Sequence, residues 1–296
     1  MFEFQIAKVT KEDPPYDEIK KFAAGMADKY ADQGAVRIPV LPEIVSEKFI
    51  LPYVQKGDLS QVPIGVEKAT LDVSYYNLVQ SVVTLVLSTN REWSGFVDAL
   101  GNVLSKHCGI NTIILAANEK VKNESPSERQ RVFCGADNCV KAVTDIFETV
   151  LKRNNEYKDK LAEGEDLPEY EPLVVIIKSM SQLKNLLELR KPSDENREAS
   201  DDTPLNRLQL AMEKCNKEYN VHFIVAESIN ALASSTVENW YKTHINGNNG
   251  IWVGSGISSQ FRLNVSKKPS EYSSDIEDCF GFVISNAAAT FVKLLQ

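Results

Sequence analysis

The sequence lacks several features on which common protein functions depend. Its 296 residues include only three histidines and five cysteines. The histidines lie far apart, with no Cys or Asp at catalytic spacing, and His222 falls in a buried strand pattern typical of a core histidine. The cysteines are odd in number and scattered, which favours reduced thiols in a cytosolic compartment. Cys134 and Cys139 have no second Cys or His pair nearby, so no metal site is predicted.

Long apolar runs and an excess of basic charge are also missing. No stretch approaches the ~20 apolar residues that a transmembrane helix needs. Lys and Arg number 33 against 41 Asp and Glu, which gives a net charge of −8 and a pI near 5.1. A nucleic-acid-binding groove needs a basic footprint. The composition therefore predicts an ordinary globular chain that neither binds nucleic acid nor spans a membrane.

Apolar, strand-like segments alternate with amphipathic helical segments through the middle of the chain. Strands are predicted at 71–75, 82–87, 111–116, 173–177, 221–226, 250–253, 261–265, 280–285 and 290–294. Helices are predicted at 16–33, 93–107, 138–156, 181–189, 205–219 and 229–244. Such alternation is typical of an α/β fold with a mostly parallel sheet and helices on both faces. We predict a single domain over 1–296, with a helical lead-in at 1–60 and a core at 61–296.

The strand at 82–87 runs into an eight-residue segment, STNREWSG, and then into a helix. This is the layout of a phosphate-binding P-loop, G-x-x-x-x-G-K-[ST]. Aligned to that pattern, Ser88 and Trp93 occupy the glycine positions, Ser94 the lysine position and Gly95 the position of the metal-binding hydroxyl. Taken alone, the segment also fits an ordinary turn between a strand and a helix.

The strand at 173–177 is placed to carry the Walker B acid, yet Lys178 and Ser179 follow it. Trp93 would bring a bulky ring where glycine lets backbone amides approach phosphates. The missing lysine removes a charge-assisted contact of about 1.5–3 kcal/mol, and Lys178 would place a cation near the Mg²⁺ position. These losses predict an NTPase fold without its chemistry, with no catalytic residue, cofactor or metal. Its vestigial nucleotide pocket would comprise Ser88, Trp93, Ser94, Gly95, Lys178 and Ser179.

Several segments, in order and at suitable spacing, carry a family resemblance. They are GIWVGSGISSQ at 250–260, FRL at 261–263, FGFVI at 280–284, ATFVKLL at 289–295, VRIPVLPEI at 36–44 and VPIGVE at 62–67. The first four resemble the closing segment of the EssC-type coupling ATPases of the firmicute type VII secretion system. The segment at 36–44 resembles the entry into each ATPase module of that family, and the segment at 62–67 resembles the lead-in to its P-loop. That family belongs to the FtsK/SpoIIIE-like branch of RecA-type P-loop ATPases, whose modules are strung along one chain.

The resemblance implies a RecA-like fold and the last module of a longer protein, anchored at the cytoplasmic face of the membrane through upstream segments. It places the segment after the strand at 82–87 at the Walker A position and Lys178-Ser179 at the Walker B position. Terminal modules of this family are often degenerate and are associated with recognition of secreted substrates. The implied partners are small helical secreted proteins and neighbouring ATPase modules, without nucleic acid.

Two rival functions and one candidate binding face remain open. The rivals are a working ATPase, with its P-loop elsewhere or completed by a neighbour, and a DNA motor module, which the acidic balance disfavours. An apolar groove is a common way to hold a helical partner. The candidate partner-binding residues lie on the predicted helix at 229–244, with core packing as the alternative: Leu232, Val237, Trp240 and Tyr241.

Overall fold

The computed structural model of the chain describes residues 16–29, 40–117, 127–188, 202–266 and 270–296. Internal contacts divide the chain into Met1–Val40 and Leu41–Gln296. In the first unit the structure describes helix α1, Tyr16–Lys29, whose residues Ile19, Phe22 and Met26 are all exposed. Residues 36–39 of the resembling segment at 36–44 lie outside the described residues. Our single-domain division at residue 60 stays a prediction.

The second unit is built on one mixed sheet. Its strands are β1 (Val62–Glu67), β2 (Val73–Tyr76), β3 (Val83–Ser88), β4 (Asn111–Ala116), β5 (Gln130–Cys134), β6 (Leu173–Lys178), β7 (Val221–Ser228), β8 (Gly250–Val253), β9 (Phe280–Ser285) and β10 (Ala288–Leu294). Their order across the sheet is β2-β1-β10-β9-β8-β3-β7-β6-β4-β5. The part from β8 to β5 is parallel, and the other pairings are antiparallel. The predicted mostly parallel sheet is confirmed.

Helices cover both faces of this sheet. They are α2 (Glu47–Ile50), α3 (Trp93–Asn102), α4 (Ala136–Glu163), α5 (Met180–Glu188), α6 (Pro204–Lys214), α7 (Ile229–Leu232) and α8 (Asn239–His244). Successive strand residues point to opposite faces, so in β6 Val175 and Ile177 join the core beside α4–α6 while Val174 and Ile176 join the core beside α3. Burial on both sides explains why such strands appear as unbroken apolar runs.

Two predicted elements are wrong. The helix at 229–244 is broken into α7, a 3₁₀ turn at Ala233–Ser235 and α8. The hydroxyls of Ser234 and Thr236 donate to the carbonyl oxygens of Ala231 and Ala233, at 3.0 and 2.9 Å, and such local bonds compete with a continuous helix.

The predicted strand at 261–265 is a loop. The side-chain oxygen of Gln260 accepts from the amides of Arg262 and Leu263, at 2.7 and 2.8 Å. Its side-chain nitrogen donates to the carbonyl of Leu263, at 3.0 Å. These groups are thereby engaged by a side chain rather than by a neighbouring strand.

The structure confirms the prediction that His222 is a core residue. Its side chain lies on β7 and is buried, with Nδ1 3.2 Å from the carbonyl oxygen of Ser81. Burial lowers the pKa of His222, because the neutral ring loses less hydration than the charged one.

Candidate functional site

Ser88 and Lys178, two residues of the predicted vestigial pocket, lie at the carboxyl-terminal end of parallel strands. Strand β7 lies between β3, which leads into the P-loop position, and β6, which leads into the Walker B position. Ser88 is in register with Ser228, and Lys178 with Ala226. Because carboxyl ends of parallel strands share an edge, the topology brings these two sequence-distant segments together.

The side chain of Trp93 lies in the hydrophobic core. It is the first residue of α3 and is fully buried, in the cluster that contains Val86 and Ile251. The guanidinium of Arg91 lies 5.5 Å from the centre of the indole ring. The bulky residue at the second glycine position therefore helps to hold α3 against the sheet.

A turn of the same chain packs directly on the loop at the P-loop position. The hydroxyl of Thr89 donates to the carbonyl of Ser255, at 2.9 Å. Gly254 and Gly256 have φ angles of +75° and +90°, and a Cβ on Gly256 would lie 2.5 Å from the Thr89 hydroxyl oxygen. The motif Gly254-Ser255-Gly256 thus needs both glycines to form a close cover over this loop.

The loop also contains its own negative charge. A carboxylate oxygen of Glu92 accepts from the amide of Asn90, at 2.8 Å. Partial burial opposes ionisation of Glu92, but bonds from the amides of Glu92 and Asn90 outweigh it and lower the pKa of this carboxyl. Amides of the segment are therefore bonded to a carboxylate of the same segment, whereas a P-loop offers its amides to phosphate.

Lys178 forms a buried ion pair with Asp98, a residue of α3. Its ammonium nitrogen lies 2.8 and 3.0 Å from the two carboxylate oxygens. The side chains are 1% and 18% exposed respectively. The cation at the Walker B position is thus neutralised within the chain, and the pair ties the end of β6 to α3. Sequence reasoning missed Asp98, since an acid within the helix after a P-loop position belongs to no motif.

Ser179 and Glu227 complete this edge. Ser179 has a φ of +62°, which is uncommon for a residue other than glycine. Its hydroxyl lies 3.3 Å from a carboxylate oxygen of Glu227. The buried Glu227 side chain accepts from the amides of Ser181 and Ser228, at 2.7 and 2.9 Å, so the backbone holds both of its oxygens. No group of three or more His, Cys, Asp or Glu positioned to hold a metal occurs among the described residues.

The predicted partner-binding residues are placed differently from one another. Leu232 and Trp240 are fully buried and belong to the core beside α4–α6, so neither offers side-chain surface to a partner. Val237 is 69% exposed, and Tyr241 is half-buried. The break in the predicted helix removes the continuous apolar face that the sequence suggested.

A groove between α4 and α6, lined also by Thr243 and His244 of α8, has the apolar character expected of a peptide-binding site. Its volume is about 650 Å³. Phe147, Val150 and Leu210 contribute apolar surface, while Lys158, Lys214, Glu213 and His244 contribute polar and charged groups. We call it the α4–α6 groove. Sequence periodicity could not reveal it, because these apolar side chains also satisfy the pattern of core-facing helices.

The mixed sheet, with its parallel part carrying the two loops and helices on both faces, has the predicted RecA-like P-loop NTPase fold. No protein-family model matches the sequence, and no curated protein matches it. Solved structures do match. The ATPase 2 and 3 modules of EssC from Geobacillus thermodenitrificans align with a TM-score of 0.73 at 13% identity, over 98% of this chain and 52% of that one.

Two other type VII ATPases align similarly. The cytoplasmic domain of EssC gives a TM-score of 0.64 at 14% identity, over 98% of this chain and 55% of that one. ATPases 2 and 3 of Thermomonospora curvata EccC, in complex with a signal sequence peptide, give 0.58 at 13% identity, over 88% and 44%. This chain spans about half the length of the EssC chains it matches. The predicted resemblance is confirmed at the level of the fold.

Proposed function

We propose that this chain is a degenerate, non-hydrolysing module of a type VII secretion ATPase that recognises exported proteins and regulates their secretion. In this proposal it works at the cytoplasmic face of the membrane beside catalytic modules of the same protein. None of its described helices is long and apolar enough to cross a bilayer, so anchoring would fall to other segments. The observation that carries the proposal is the Lys178–Asp98 ion pair.

The ion pair argues against phosphoryl transfer at this edge. Enzymes of this class stabilise the transferring phosphoryl group through a P-loop lysine and a Mg²⁺ ion held by an acid. Here the Walker B position carries an ammonium group that is already neutralised by Asp98. An ammonium group cannot ligate Mg²⁺, and the nearby Asp98 carboxylate is already engaged by Lys178. The similar solved structures are ATPase domains, so a working ATPase remains the rival function.

Titration calorimetry of the full chain with Mg-ATP tests this part of the proposal. We expect no measurable binding, because losing the lysine contact and the metal-ligating acid costs several kcal/mol and thus orders of magnitude in affinity. A P-loop ATPase with intact Walker motifs serves as the positive control. Micromolar binding to this chain would contradict the proposal and favour the working ATPase.

The α4–α6 groove is our candidate for the recognition surface. Exported proteins of this system are small and helical, and an amphipathic helix places its apolar face in such a groove. Leu151 and Leu210 at the groove are 45% and 41% exposed, which leaves apolar area to bury. The EccC structure with a bound signal sequence peptide supports peptide recognition by this fold.

A charge introduced into the groove tests that assignment. We expect Leu210→Glu to weaken retention of the system's small secreted proteins at least tenfold, since it buries a carboxylate against an apolar helix face. The measurement is a quantitative pull-down with the full chain. Leu161→Glu is the matched control, because Leu161 is 60% exposed and does not line the groove. Equal retention by both variants would exclude the groove as the recognition surface.

A further inference from the structure

A second groove lies on the other side of the carboxyl-terminal half of α4. Its volume is about 530 Å³. Leu167, Pro168, Glu169 and Tyr170 line it from the connection after α4, together with Tyr157 of α4 and Val79. We call it the acidic groove, and we propose that it docks a lysine- or arginine-rich amphipathic helix of a partner protein. This inference does not depend on the proposed function.

The walls of the acidic groove are held in place by specific contacts. The side-chain amide of Asn220 donates to the carbonyl of Tyr170, at 2.8 Å. The Tyr170 hydroxyl donates to the carbonyl of Arg153, at 3.1 Å, and the Arg153 guanidinium lies 4.9 Å from the Tyr170 ring centre. Tyr157 packs edge-on against Tyr219, with ring centres 5.7 Å apart. A preformed aromatic wall reduces the entropy lost when a partner binds.

Apolar surface remains open in this groove. Leu167 and Val79 are 45% and 36% exposed, and Pro168 and the Tyr157 ring are only partly covered. Pro168 and Leu167 belong to the connection between α4 and β6, whose next residue, Glu169, is also part of the lining. The groove therefore offers area for an apolar helix face.

The charge around this connection determines what kind of helix fits. Residues 161–171 contain five acids and no Lys or Arg. All five carboxylate residues are exposed: Glu163, Glu165, Asp166, Glu169 and Glu171. Of these five, Glu169 lines the groove, together with Glu218 and Lys217. The nearby cations are Lys160, which pairs with Glu165, and Arg153, beside the Tyr170 ring, so the acids around the groove outnumber the cations. Charge complementarity selects a basic partner and speeds its association, while the apolar lining requires the basic helix to be amphipathic.

The α4–α6 groove differs in charge, which separates the two sites. Its contributing charged residues are mainly basic, Lys158 and Lys214 with Glu213. Asn154 and Lys158 face that groove, whereas Tyr157 faces the acidic groove. Helix α4 therefore lines two candidate docking grooves, which favour partners of different charge.

Fluorescence anisotropy with two labelled peptides tests the inference on the full chain. The probe is an 18-residue amphipathic helix with leucine on one face and lysine on the other. Its comparator carries glutamate in place of lysine. We expect the lysine peptide to bind at least tenfold more tightly, and added salt to reduce that preference.

Leu167→Ser should weaken binding of the lysine peptide roughly tenfold, since the leucine side chain no longer contributes to burial. In the double variant Glu169→Gln with Glu218→Gln, the affinity for the lysine peptide should depend less on salt concentration.

Two exposed leucines outside the acidic groove provide controls. Leu161→Ser, in the same stretch of chain, and Leu210→Ser, in the α4–α6 groove, should leave binding unchanged. The inference is overturned by absence of binding, by equal binding of the two peptides, or by a lysine peptide that is insensitive to Leu167→Ser. Loss of binding in Leu210→Ser alone would place the peptide in the α4–α6 groove and also overturn it. None of these outcomes changes the expected result with Mg-ATP.

Discussion

Replacing Asp98 with asparagine is expected to lower the free energy of unfolding by about 3–5 kcal/mol, the range for removing one partner of a buried ion pair. Lys178 remains behind with a side chain only 1% exposed. An ammonium group in that position loses its hydration on folding, and without the carboxylate it loses its charged partner as well. Chemical denaturation of the full chain, monitored by circular dichroism, measures the change.

Two further variants show whether the loss arises from removing the carboxylate beside Lys178. The double variant Asp98→Leu with Lys178→Met removes both charges and should recover most of the stability, because apolar replacement of a buried pair is often neutral or better. Asp202→Asn is the surface control: it breaks a pair with Arg207 in which the Asp202 side chain is 62% exposed, and we expect little change. An Asp98→Asn protein as stable as the parent would show that Lys178 does not depend on this carboxylate.

Introducing a glycine at position 93 is expected to destabilise the protein and not to create a nucleotide site. Trp93→Gly should lower the free energy of unfolding by about 3–5 kcal/mol, as for other large-to-small substitutions of buried aromatic residues. The reason is that Trp93 is fully buried between α3 and the sheet. Under the proposed function, the variant should also show no gain in Mg-ATP binding. Denaturation and titration calorimetry on the same preparation measure both effects.

Trp93→Phe is the matched control for this variant. The indole N–H is buried without a hydrogen-bond partner in the described structure, so phenylalanine loses packing but no hydrogen bond. We expect Trp93→Phe to lower the free energy of unfolding less than Trp93→Gly does, since phenylalanine keeps most of the apolar volume. Gain of nucleotide binding in Trp93→Gly would show that the ring alone blocks an otherwise competent site, and would contradict the role that we assign to Lys178.

Motif reasoning identified residues of the predicted pocket but not the side chains that pair with them. Lys178 and Ser179 were identified because they stand where a motif requires acids, and the topology does bring them to the same edge as Ser88. Their partners, Asp98 and Glu227, were not identified. Asp98 lies 80 residues from Lys178 in sequence, and no local pattern links an acid to a lysine at that distance.

The partner-binding prediction differs from the structure in another way: it included residues that are buried in the core. Trp240 satisfied an apolar pattern that suits both a docking face and a core, and its complete burial places it in the core. Val237, on the same predicted helix, is 69% exposed. Hydrophobicity alone does not distinguish the two fates, because an inward and an outward apolar side chain have the same local sequence signal.

Periodicity and ordered segments were enough to predict the α/β class, the mostly parallel sheet and the RecA-like resemblance. The class and the sheet depend on local spacing: unbroken apolar runs for strands buried on both faces, and 3.6-residue repeats for the helices that cover them. The RecA-like fold was implied by the family resemblance of the ordered segments. The pairing of Lys178 with Asp98, the turn over Thr89 and the two grooves beside α4 depend on which distant segments become neighbours. Such contacts are set by the packing of the whole chain, so they became visible only in three dimensions.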